Sequence, residues 1–113
     1  MNREFVYTQM FNRNWKDIGL GEEELRELES LLCDDPKRGA VIPGTGRARK
    51  MRFGYGTKGK SGSARVIYVD LEITEKICFL AAYAKSDKEN LTEAEKKILK
   101  GAIEILVETF ERR

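Results

Sequence analysis

Nine cations, Lys37, Arg38, Arg47, Arg49, Lys50, Arg52, Lys58, Lys60 and Arg65, fall within residues 36–69, and all 19 carboxylates of the chain lie outside that segment. Like charges crowded without an interleaved acid repel one another, a local cost that an anionic partner relieves. Guanidinium groups grip phosphate bidentately, so the segment is expected to bind a polyanion, nucleic acid being the foremost candidate. The formal net charge of only +2 conceals this segregation.

The chain has no histidine. That excludes imidazole metal ligands, Ser-His-Asp and Cys-His nucleophile systems and any imidazole proton shuttle. Proton transfer must fall to Lys, Tyr, Asp or Glu. Neighbouring cations lower the pKa of a lysine or a tyrosine, which supplies a base without histidine. RNA also carries its own nucleophile, the 2′-hydroxyl, so that neither bound water nor metal is needed, whereas DNA lacks that group. Cys33 and Cys78 are the only cysteines, too few for a disulfide framework or a four-cysteine zinc site. Both are expected to be reduced and buried, and no metal or cofactor is expected.

One motif points elsewhere. Gly54-Tyr55-Gly56-Thr57-Lys58-Gly59-Lys60-Ser61 satisfies the phosphate-loop pattern, and Val66-Ile67-Tyr68-Val69-Asp70 imitates an acidic magnesium-binding strand. The mechanism needs Lys60 and Ser61 to open a helix whose amino end faces the phosphates. The chain continues instead with Gly62-Ser63-Ala64-Arg65-Val66-Ile67-Tyr68, a glycine turn running into a strand with no room for a crossover helix. Nucleotide hydrolysis is therefore not expected.

The elements that must position the cations emerge from periodicity. Phe5-Val6-Tyr7-Thr8 reads as an opening strand, and Met10, Phe11, Trp15 and Ile18 recur at helical spacing. A second helix places Glu22, Glu23 and Glu24 in its positive first turn and Leu25, Leu28, Leu31 and Leu32 on one stripe, until Asp34-Asp35-Pro36 stops it. Residues 41–42, 50–55, 63–71 and 73–83 are strand candidates. Thr92 and Glu95 form a capping box ahead of Ile98, Leu99, Ala102, Ile103, Leu106 and Phe110. This order predicts a single α+β domain over residues 1–113, with a mainly antiparallel sheet of four to five strands, two N-terminal helices, a C-terminal helix, and helices on one face. The opening residues hold no apolar stretch of signal-peptide length, and the longest apolar run, residues 77–84, is too short to span a bilayer. A cytoplasmic protein without membrane association is the expectation.

If residues 50–55 and 63–71 pair as a hairpin, Arg49, Met51 and Phe53 share one face while Lys50 and Arg52 share the other. Lys58 and Lys60 then sit at the hairpin tip, Arg65 lies early in the returning strand, and Tyr83 and Lys85 close the last strand near the same end. Arg47, Arg49, Lys50, Arg52 and Lys58 are expected to contact phosphate. Arg65, Tyr83, Lys85 and Lys60 are the candidates for chemistry, with Arg65 stabilising the charge of a phosphorane-like transition state.

Gly39-Ala40-Val41-Ile42-Pro43-Gly44-Thr45-Gly46, Arg49-Lys50-Met51-Arg52, Gly59-Lys60-Ser61-Gly62, Arg65-Val66-Ile67-Tyr68, Tyr83-Ala84-Lys85 and Leu91-Thr92-Glu93-Ala94-Glu95 together resemble the phage-type HigB-like branch of the RelE toxin family. The resemblance covers nearly the whole chain. It implies a small α+β toxin that enters the ribosomal A site, cleaves translated mRNA without a metal, and is neutralised by a cognate antitoxin, commonly a helix-turn-helix protein of the HigA type. It also implies that Arg49, Lys50 and Arg52 are the basic first strand and that Arg65 stands near the scissile phosphate. Arg47 and Ser63 replace glycines usual in relatives, and no tyrosine follows Lys85, where RelE itself has a catalytic one. Two other readings share the scaffold: a non-enzymatic inhibitor like the gyrase-poisoning ParE branch, and a plain RNA-binding module.

Overall fold

The computed structural model describes residues 3–57, 60–86 and 90–111. Strand β1 (Glu4–Tyr7) leads into helix α1 (Gln9–Ile18), whose N-cap Thr8 accepts a hydrogen bond from the Phe11 amide. The expected strand thus loses its last residue to the cap, where the hydroxyl satisfies one orphan donor of the first turn. Gly19, at a left-handed φ of 95°, ends α1. Helix α2 (Glu22–Asp34) opens on three glutamates and buries Leu28 and Leu32 completely.

The short strand β2 (Ala40–Val41) is followed by β3 (Arg49–Thr57), β4 (Lys60–Leu71), β5 (Lys76–Ala84) and helix α3 (Glu93–Phe110). The sheet order is β1-β5-β4-β3-β2, antiparallel except for the parallel β1–β5 pair. Residues 73–75, expected within the last strand, are not part of it. Glu72–Thr74 form a 3₁₀ turn, Glu75 takes a left-handed φ of 55°, and Ile73 is left 77 % exposed. The apolar Ile73 is what made the strand look longer.

Helices cover both faces of the sheet, not one. On one face Phe11, Trp15, Leu28 and Leu32 pack against Met51, Phe53, Tyr68 and Phe79. On the other, Leu99 and Ile103 of α3 pack against Ile42, Ile67, Val69, Leu71 and Leu80. The cause lies in β4, where residues 66–71 are all buried. A strand apolar on both sides must be covered on both, and α3 carries the apolar stripe that α1 and α2 leave to the second face. The capping box that starts α3 is present, with Glu95 N–H donating to Thr92 Oγ1 at 3.1 Å and Thr92 N–H to Glu95 Oε1 at 2.9 Å.

Cys78 is buried and Cys33 only half-buried, and both are free thiols. Burial pushes the Cys78 thiol up to about 11.

Candidate nucleic-acid interface

Folding divides the acid-free segment into two groups of cations. One group is spent on architecture. Lys37 pairs with Glu72 in the turn after β4. Arg47 reaches Glu111 just past α3, Nη1 to Oε1 at 2.9 Å, and Nη2 donates to the Asp70 carbonyl at 3.3 Å. The hydrogen bond to Glu111 holds the Arg47 guanidinium above its ordinary pKa. Arg49 donates through Nη1 to the Gly39 and Lys37 carbonyls, at 2.7 and 3.3 Å, fastening the loop before β2 onto β3. Tyr68 completes that clasp: its hydroxyl accepts from Gly39 N–H and donates to the Pro36 carbonyl, both at 2.9 Å. Burial pushes the Tyr68 phenol up, so it stays protonated as a donor.

The second group stands at the middle of β4. Arg52 is opposite Arg65 in the β3–β4 register, and Arg65 is opposite Tyr83 in the β4–β5 register. These three residues form one transverse row on the sheet face that carries α3, with Lys50 in the adjacent row. Arg52 is exposed and Arg65 half-buried, with Nη1 3.5 Å from Ser63 Oγ. Among the described residues, no carboxylate pairs with Lys50, Arg52, Arg65 or Lys85.

Tyr83 is 8 % exposed, joins the apolar layer under α3, and lines a hollow of about 410 Å³ with Arg13, Asn14 and Glu95. Lys85 is exposed just beyond β5, and its N–H donates to the Ser63 carbonyl at 3.0 Å. It shares a hollow of about 450 Å³ with Tyr55, Gly62 and Ser63. Lys60 opens β4 opposite Thr57; Lys58 and the Lys60 side chain lie outside the described residues. Because a strand and not a helix begins at Lys60, the phosphate-loop match has no helix amino end to offer a nucleotide.

Sequence reasoning passed over Tyr55. Its ring lies across Gly62, where an added Cβ would stand 2.8 Å from the Tyr55 hydroxyl oxygen. The signal was available in the hairpin register, which sets Tyr55 opposite Gly62.

The described residues hold no group of three or more His, Cys, Asp or Glu able to bind a metal, and no helix among them is long and apolar enough to cross a membrane. The class this fold defines is a three-layer α+β domain with a mixed, mainly antiparallel sheet. Residues 5–112 match the family described as "RelE toxin of RelE / RelB toxin-antitoxin system", and the chain belongs to that family. Membership implies an antitoxin partner. Among solved structures the chain is similar to an arginine-to-alanine double variant of E. coli toxin RelE in the free state, with a TM-score of 0.57 and 17 % identity over 88 % of this chain and 100 % of that one. At that identity the likeness establishes the fold.

Proposed function

We propose that the protein is a ribosome-dependent mRNA endonuclease of the HigB-like kind, acting in the cytoplasm and held inactive by a helix-turn-helix antitoxin. The supporting observation is the Arg52–Arg65–Tyr83 row, in which Arg52 is exposed and Arg65 half-buried, neither with a described carboxylate partner, while Lys37 and Arg47 are neutralised. Cations left unpaired by the fold are available to phosphate.

In this reading Lys50, Arg52 and Lys58 hold the RNA backbone. The 2′-oxygen attacks the adjacent phosphorus and the bond to the 5′-oxygen breaks, leaving a 2′,3′-cyclic phosphate and a 5′-hydroxyl. Arg65 stabilises the extra negative charge of the phosphorane-like state. Tyr83, as its phenolate, takes the 2′ proton and the exposed Lys85 ammonium gives one to the leaving 5′-oxygen; proton exchange with solvent then restores both groups.

The test is to add the purified protein to a translating extract and map mRNA ends. New ends appearing only on translated messages support the proposal. Intact messages under arrested synthesis would instead assign the chain to a non-enzymatic inhibitor on the same scaffold.

A further inference from the structure

A hollow of about 240 Å³ lies between β2, β3 and the first turns of α3, adjoining the cationic row without being part of it. Val41 and Pro43 form one wall, Leu91 the other, and two lysines from different elements, Lys50 and Lys96, line it. Lys96 lies outside the acid-free segment, so counting charges along the chain gives it no prominence. Its side chain is only 24 % exposed, and a Cβ placed on Gly44 would stand 3.7 Å from its Cδ, so the turn preceding β3 flanks the lysine stem. Its carboxylate partner, Glu93 at 3.2 Å, is itself 88 % exposed. A solvent-exposed partner one turn away screens weakly and leaves much of the ammonium's field intact.

Lys50 and Arg52 are two residues apart on one face of β3, about 7 Å along the strand. An extended nucleotide bridges such a span.

We propose that this hollow is a second phosphodiester subsite, which seats the nucleotide adjoining the one on the Arg52–Arg65 row, with Lys50 and Lys96 on its phosphate and Val41, Pro43 and Leu91 against its base. The assignment rests on the endonuclease reading. It makes α3, which otherwise covers the core, a contributor to the RNA path. A strand is favoured over a lone nucleotide because Lys50, which lines the hollow, stands in the row next to Arg52 on the same sheet face.

The experiment measures fluorescence anisotropy of a labelled single-stranded RNA oligonucleotide over a salt series, together with mRNA cleavage in a translating extract. It compares the wild type with Lys96→Gln, Lys96→Arg and Arg65→Ala, each checked by circular dichroism. Lys96→Gln is expected to weaken RNA binding about tenfold and to reduce the log–log salt slope by about 0.7. It should raise the RNA concentration for half-maximal cleavage in proportion, and Lys96→Arg should restore both. Arg65→Ala should lower the maximal cleavage rate instead. If Lys96→Gln is misfolded, Lys96→Met, which keeps the apolar stem and removes the charge, carries the same expectation.

A wild type that binds and cleaves RNA, beside a folded protein lacking the Lys96 charge with unchanged affinity and slope, overturns the subsite alone. Competition by adenosine 5′-monophosphate as strong as by the oligonucleotide assigns the hollow to a free nucleotide and overturns the strand. Loss of antitoxin binding with unaltered RNA binding assigns it to the protein partner and also overturns the subsite. A wild type that neither binds nor cleaves RNA overturns the endonuclease reading as well.

Discussion

Arg65 and Tyr83 face each other directly across the β4–β5 ladder, so a half-buried arginine and a tyrosine almost covered by α3 share one register position. Arg65→Ala should therefore separate chemistry from folding. Removing a preorganised charge stabiliser costs about 100-fold or more in rate, whereas a half-buried arginine without a described carboxylate partner leaves no orphaned charge behind. Quantified mRNA ends from a translating extract and a denaturant midpoint, measured on the same preparation, check both halves of the expectation.

The division of cations predicts opposite behaviour for two arginines in the same segment. Arg52→Ala should weaken binding to single-stranded RNA and reduce the salt slope by about 0.7, with little change in stability. Arg47→Ala should leave RNA affinity intact and lower stability, because it leaves the 7 %-exposed Glu111 carboxylate without its guanidinium. Anisotropy titrations and urea unfolding of the two variants make the comparison.

Gly39 is a position where a methyl group is costly. A Cβ there would meet the Lys50 carbonyl oxygen at 2.9 Å and the Tyr68 ring at 3.0 Å, and the backbone of β3 cannot swing aside as a side chain can. Gly39→Ala should destabilise the protein by about 1–3 kcal/mol, read from urea unfolding, with the β2–β3 amides losing hydrogen-exchange protection first.

Cys78 gives a pH dependence whose sign can be worked out. Its ordinary value is near 9 and the fold raises it to about 11, so the folded state keeps the proton that the unfolded chain releases. The contribution is complete below about pH 9 and disappears as pH rises towards 11. Stability of the wild type should fall more steeply across that window than that of Cys78→Ala, measured by urea midpoints at successive pH values. At pH 8 iodoacetamide should modify Cys33 well before Cys78, as peptide mass mapping would show.

The buried ion pair between Arg3 and Asp70, 2.9 Å apart with side chains 8 % and 4 % exposed, should be intolerant of losing one member. Asp70→Asn removes the carboxylate charge that the buried guanidinium faces at 2.9 Å and is expected to cost about 3 kcal/mol in denaturant unfolding.

What could be read from the sequence was local. The Thr92–Glu95 capping box, the leucine stripe of α2 and the alternation of Met51 and Phe53 against Lys50 and Arg52 depend on neighbours a few residues away, and all stand in the structure. The neutralisation of Lys37 and Arg47 was not legible, because their acids lie 35 and 64 residues along the chain. Coverage of both sheet faces was hidden for a related reason: a continuous apolar run such as Val66 to Val69 declares that it is buried without saying by what. Tyr55 escaped notice because only its pairing with Gly62 brings it near Lys85.

The parallel pairing of β1 with β5 ties the first strand to the last. During synthesis from the amino end, Phe5 and Val6 must wait for Ile77 and Cys78 before they have a ladder to join, and Arg3 waits for Asp70. A nascent chain that has made both early helices and the central hairpin still has an open sheet edge and lacks Tyr83. Assembly of the sheet and completion of the Arg52–Arg65–Tyr83 row are thus deferred to the same late moment of translation, so a truncated product is left with neither.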